Sequence, residues 1–141
     1  MKGAAVIDTN VVVSGILTSL SESPTAQILD AMLVGRFRFL LSVELLAEYR
    51  AVLLRQKIRR RHRLSEAEVD ILLTDVVTNG TVLDLQPPRA ERRQGGDDHL
   101  WQILSAEPSA CLVTGDQKLF AQPARGVRVL SPRSFLESIE G

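Results

Sequence analysis

Short, unbroken apolar runs separated by helix signals constrain this chain more than any other feature. Ala4-Ala5-Val6-Ile7 and Ala110-Cys111-Leu112-Val113-Thr114 lack the polar alternation of a half-solvated strand. Strands of this kind are covered on both faces, which is the habit of parallel sheets. Phe37 to Leu41, Thr81 to Leu85 and Val127 to Leu130 supply further strand candidates. Helix signals lie between them. Ser23-Pro24 opens a helix that Gly35 closes. Ser42 caps a second, reaching about Lys57, with Leu45, Leu46, Tyr49, Val52 and Leu53 along one face. Ser65 and Glu68 form a capping box for a third, ended by Gly80. Asp97 or Asp98 caps a fourth through Leu100, Trp101, Ile103 and Leu104, and Ser131-Pro132 caps the last. The expected fold is α/β, a three-layer α/β/α sandwich around a central parallel sheet of four to five strands. With 141 residues the whole chain, 1–141, is expected to form a single domain.

Cys111 stands alone, so no intrachain disulfide is possible, and its strand pattern makes it a core residue. No apolar stretch approaches the ~20 residues of a membrane span, and the N-terminus does not read as a signal peptide. A cytoplasmic protein with no membrane partner is expected. Seventeen Lys+Arg balance seventeen Asp+Glu, yet a neutral sum does not say where the charges lie. Arg50, Arg55, Lys57, Arg59, Arg60, Arg61 and Arg63 form a run of cations without a carboxylate, and Ser65 to Asp84 carries acids without Lys or Arg. Neutrality therefore does not exclude a nucleic-acid partner.

In open parallel sheets, ligands bind just outside the carboxyl ends of the strands. Acids stand there: Asp8 follows the first strand, and Asp116 follows the fourth in Thr114-Gly115-Asp116. Glu48 falls about 40° beyond Val52 at 100° per residue, a rim position on the Ser42-capped helix. Asp97 and Asp98 begin the helix before the fourth strand. Four bare carboxylates repel by about 4 kcal/mol per pair at ~4 Å and an effective dielectric of 20, so such a cluster must be paired, protonated or holding a cation. Oxygen ligands without His or Cys select Mg²⁺ or Mn²⁺, which would polarise a phosphodiester. Each acid also has a plainer reading. Asp8 is a turn residue, Asp97 and Asp98 are helix caps, Asp116 closes an Asx turn, and Glu48 pairs with Arg55.

The combination is more specific than its parts. Ala-Val-Ile-Asp8-Thr9-Asn10-Val-Val-Val-Ser-Gly, Leu41-Ser42-x-x-Leu45-Leu46-x-Glu48-x-x-x-Val52-Leu53, Asp97-x-x-Leu100 and Leu112-Val113-Thr114-Gly115-Asp116-x-x-Leu119 together resemble a PIN domain. The nearest likeness is to the toxin components of toxin–antitoxin systems, related to VapC-type toxins. The resemblance spans essentially the whole chain. It implies a Rossmann-like fold and a metal-dependent endoribonuclease that cleaves by in-line attack of water.

Carried onto this sequence, the resemblance makes Asp8, Glu48, Asp97 and Asp116 the four acids. Asp97 is preferred to Asp98 because it stands three residues before Leu100 and 19 before Asp116. Asp8, Asp97 and Asp116 would hold Mg²⁺ or Mn²⁺, and Glu48 would orient or deprotonate the water. Thr9, Asn10 and Thr114 match polar positions lining that family's site. The departures are Gln94-Gly95-Gly96 before Asp97 and Glu107-Pro108 after the helix. The implied partners are an RNA substrate, an antitoxin protein and a second copy of the chain. Arg59, Arg60, Arg61 and Arg63, with Arg92 and Arg93 before Asp97, read either as a phosphate-contacting patch or as a solvated loop. His99 adjoins the acids and reads either as an exposed first-turn residue or as a substrate contact, and Trp101 and Tyr49 read as core or interface. Aromatic content of 4% argues against a base-stacking platform. Two other functions compete. A non-cleaving PIN-like domain that binds RNA or protein would be expected to have lost acids. A phosphatase with Asp8 as nucleophile would want Asp at position 10, where Asn stands.

Overall fold

Parallel pairing organises the chain. In a computed structural model, which describes residues 3–18, 22–85, 98–121 and 127–140, strand β1 (Ala5–Ile7) pairs with β4 (Cys111–Val113), and β4 pairs with β5 (Arg128–Leu130), all parallel. All six residues of β1 and β4 are buried, so both faces of this sheet are covered. This is the burial that unbroken apolar runs require. Strands β2 (Leu40–Leu41) and β3 (Thr81–Val82) form a separate parallel pair. Among the described residues one isolated bridge, Ala5 with Phe39, links the pair to β1. The expected single sheet of four to five strands is thus divided into three and two. The cause is local: β2 and β3 are each two residues long, and they meet β1 at an isolated bridge, where the Ala5 N–H bonds the Arg38 carbonyl at 3.0 Å.

The helices follow their caps. They are α1 (Thr9–Leu17), α2 (Pro24–Leu33), α3 (Val43–Leu53), α4 (Gln56–His62), α5 (Glu66–Asn79), α6 (Asp98–Ala106), α7 (Gln117–Ala121) and α8 (Pro132–Glu140). Ser23, Ser42 and Ser65 each accept a hydrogen bond from a backbone N–H three residues on, and Glu68 returns one from the Ser65 N–H at 2.8 Å. Two features depart from the sequence reading. Residues after Asp8, where the sequence shows no helix signal, form helix α1, although Val11-Val12-Val13 and Gly15 are poor helix formers. Packing supplies what propensity lacks: Val11 and Val12 are buried, and a Cβ on Gly15 would sit 2.7 Å from the Thr25 carbonyl oxygen of α2. The Ser42-capped helix also ends early, breaking at Leu54-Arg55, and α4 runs as a separate helix to Arg63, whose φ of 61° closes it.

Arg50 joins α3 to α5, bonding Asp70 at 2.7 Å and Glu66 at 2.5 Å. The bipolar charge pattern is thus partly an ion-pair arrangement between neighbouring helices. These groups are well exposed, and the Arg50 contact holds the Asp70 carboxyl below its usual range. The core is built from Ile7, Ile28, Met32, Phe39, Leu45 and Phe135, with Phe37 edge-on to Phe135 at 4.8 Å. Cys111 lies within it, its thiol pushed up by burial. No helix among the described residues is long and apolar enough to cross a membrane.

Candidate active site

Register places the first acid. Ile7 pairs with Val113, so the residues that follow, Asp8 and Thr114, emerge side by side at the carboxyl edge of the sheet. The Asp8 N–H bonds the Val113 carbonyl at 2.9 Å, and the Thr114 hydroxyl donates to Asp8 Oδ2 at 2.7 Å. Asp8 Oδ1 accepts from the Thr9 N–H at 2.8 Å, which caps α1, and Asn10 Nδ2 donates to Asp8 Oδ2 at 3.3 Å. Asn10 Oδ1 in turn accepts from the Gly115 N–H at 3.0 Å, and Thr114 Oγ1 from the Asp116 N–H at 3.0 Å. Asn10 and Thr114 therefore lock the loop after β4 against the start of α1. Asp8 is only 7% exposed, and a carboxylate so far out of water needs these donors. Thr9 is buried too, its hydroxyl without a hydrogen-bond partner among the described residues. Asp116, half-buried, accepts at Oδ1 from the Lys118 N–H at 2.9 Å as α7 begins. Its expected Asx-turn role is present beside its place in the cleft.

Glu48 comes from α3. Below it Tyr49 is fully buried and donates its hydroxyl to the Ile7 carbonyl at 2.6 Å, anchoring α3 to β1 one residue before Asp8. Burial pushes the Tyr49 phenol well up, and the charges of Asp8 and Glu48 push it further. Asp8, Glu48 and Asp116 line one cleft of about 620 Å³, whose walls also include Arg55 and Arg61. Asp97, the third expected acid, lies outside the described residues, as do Arg92 and Arg93. Asp98 is the first residue of α6.

Three expectations change. Glu48 does not pair with Arg55; its Oε1 lies 2.5 Å from His99 Nε2, without the alignment of a hydrogen bond. His99 is not an exposed first-turn residue, since its side chain is only 11% exposed. The arginine run is neither a loop nor one patch. It forms helix α4, which turns Arg61 toward the acid cleft while Arg59, Arg60 and Arg63 line a second cavity of about 660 Å³ beside Ser65 and Glu68. His62 fastens α4 by donating from Nε2 to the Leu53 carbonyl and accepting at Nδ1 from the Leu64 N–H, at 2.8 and 2.9 Å.

Among the described residues, no group of three or more His, Cys, Asp and Glu side chains is gathered to hold a metal. The donor chemistry nonetheless fits a hard divalent cation. Three carboxylates border the cleft with no thiolate among its walls, and one buried oxygen, Glu48 Oε1, accepts no hydrogen bond among the described residues. A completed set would need Asp97.

Sequence reasoning set His99 beside the acids but read it as exposed, and it weighed Arg55 only as a partner for Glu48. His99 stands four residues before the buried Ile103, a spacing that shares a helix face. Arg55 carried no comparable signal, because its place depends on the break between α3 and α4. A family model described as a PIN domain matches residues 4–118. No curated protein matches the chain.

Proposed function

This chain belongs to the PIN domain family, and we propose that it uses that family's nuclease-type fold as a metal-dependent endoribonuclease, the toxin of a cytoplasmic toxin–antitoxin pair. The observation that carries the reading is the common cleft: acids from three separate segments, Asp8, Glu48 and Asp116, with Arg55 and Arg61 on its walls. An acidic cleft repels a polyanion, so an RNA-cutting site needs cations at its border. Neither arginine pairs with a carboxylate among the described residues.

In this reading Asp8, Asp97 and Asp116 would hold Mg²⁺ or Mn²⁺, which when bound would supply Lewis-acid polarisation of the phosphodiester. Asn10 and Thr114 keep Asp8 fixed. Glu48 accepts the proton of the attacking water as general base, a role worth about 10²–10⁴ in rate. Arg55 and Arg61 hold phosphate oxygens and offset the negative field. The toxin role brings two partners, a protein antitoxin and a second copy of the chain.

The deciding experiment is cleavage of total RNA with Mg²⁺, with Mn²⁺ and with EDTA. Cutting with either ion and none with EDTA is expected; undiminished cutting in EDTA removes the metal from the mechanism. RNA binding with no cutting under any condition selects the alternative, a non-cleaving PIN-like binding domain.

The arginines have their own readout. Replacing Arg55 and Arg61 together by Ala should weaken RNA binding and flatten the plot of log affinity against log salt by about 0.7 for each single-strand phosphate contact removed. The same change at Arg59, Arg60 and Arg63 tests whether RNA continues over the second cavity. A slope unchanged in both variants would take α4 out of substrate binding.

A further inference from the structure

We infer that His99 is a positioning residue for Glu48: it holds the carboxylate in the cleft and away from Arg55, and it ties helix α6 to helix α3. Its effect on rate rests on the nuclease reading above; the contact itself does not.

His99 Nε2 and Glu48 Oε1 are 2.5 Å apart, with side chains 11% and 37% exposed. The other ring nitrogen, Nδ1, and Glu48 Oε1 itself are buried without a hydrogen-bond partner among the described residues. A buried polar atom left unpaired is costly, so the close approach of Nε2 is the interaction available to Oε1 on the protein side. Glu48 sits on a long side chain with considerable rotamer freedom. Val52, one turn on in α3, lines the same cleft as an apolar wall, and Arg55, at the start of α4, lines it too.

A free Glu48 would therefore have a cation to swing toward, the pairing that the spacing in sequence suggested. Such a pair would withdraw the general base from the water and the guanidinium from the phosphate. His99 prevents both by holding the carboxylate from the opposite element. It also stands two residues after Asp97 in sequence. The helix that follows the third acid is thereby tied to the helix that carries the second.

Displacement of a reacting group by about 1 Å can cost about 10²-fold in rate. His99→Ala should accordingly lower kcat about 100-fold with KM nearly unchanged. His99→Gln, which restores a nitrogen donor, should recover to within about tenfold of wild type. A variant acting through general destabilisation would lower the melting temperature in step with the activity loss and would not separate Ala from Gln. The second readout needs no catalysis: the imidazole ¹⁵N resonances of His99, recorded in the wild type and in Glu48→Gln, should differ. Wild-type kcat in His99→Ala, or ring resonances unmoved by Glu48→Gln, would overturn the assignment. If the wild type cuts no RNA, the nuclease reading fails, and the ring resonances alone decide the contact.

Discussion

Asp8→Asn is expected to reduce RNA cleavage by about a thousandfold or more while the protein stays folded. Several kcal/mol of transition-state stabilisation is at stake where an ion-holding charge is lost, and each 1.36 kcal/mol is tenfold. The substitution keeps the shape but replaces one acceptor oxygen by an NH₂ donor. Asp8 Oδ1 faces the Thr9 N–H, and Oδ2 faces the Thr114 hydroxyl and Asn10 Nδ2. Asn can satisfy only one of these sides, so a stability loss of about 1–3 kcal/mol should accompany the activity loss. Single-turnover cleavage with a thermal melt on the same preparation separates the two. Asp97→Asn should behave similarly in cleavage, whereas Asp98→Asn should not. Full activity in both Asp8→Asn and Asp97→Asn would remove these acids from the reaction.

Tyr49→Ala should have the largest effect on stability. Loss of a fully buried aromatic ring costs about 3–5 kcal/mol, visible as a lower urea midpoint. Tyr49→Phe keeps the ring and deletes only the 2.6 Å bond to the Ile7 carbonyl. It should cost about 1–3 kcal/mol and change the response to alkali. Burial first, then Asp8 and Glu48, raise the phenol's pKa in the folded chain. Above about pH 10 an unfolded tyrosine loses its proton, while the folded one keeps it. The unfolded state then binds fewer protons, so stability falls as pH rises past that point. Tyr49→Phe should lack this part of the fall. Urea unfolding at about pH 9 and about pH 11 tests it; equal losses in the two proteins would mean that the phenol does not titrate differently on folding.

The fold was most legible where one physical pattern acts alone. The apolar runs at Ala4–Ile7 and Ala110–Val113 could only be strands buried on both faces, and they pair as such. The Ser65–Glu68 box is local chemistry and forms as read. Helix α1 was hidden because Val11-Val12-Val13 favours extended backbone, and only tertiary packing against α2 makes it helical. The break at Leu54-Arg55 has neither glycine nor proline to announce it, yet it redirects Arg61 away from Arg59 and Arg60. In the site, Asp8 and Asp116 were readable from strand ends, and Glu48 from its rim angle on α3. The His99 contact was not, since it joins α6 to α3 across 51 positions of sequence. Asp97, outside the described residues, is an expectation from the family resemblance.

The isolated bridge between Ala5 and Phe39 has a mechanical consequence. Asp8 and Asp116 hang from β1 and β4, on one side of that joint, and Glu48 rides on the helix that β2 feeds directly. A shear along the joint would change the distance from Glu48 to Asp8 while leaving every ladder bond within the two sheets intact. The Tyr49 hydroxyl on the Ile7 carbonyl crosses the same line. It acts as a tie rod: the distance from Glu48 to Asp8 and Asp116 depends on one phenol and side-chain packing more than on continuous sheet.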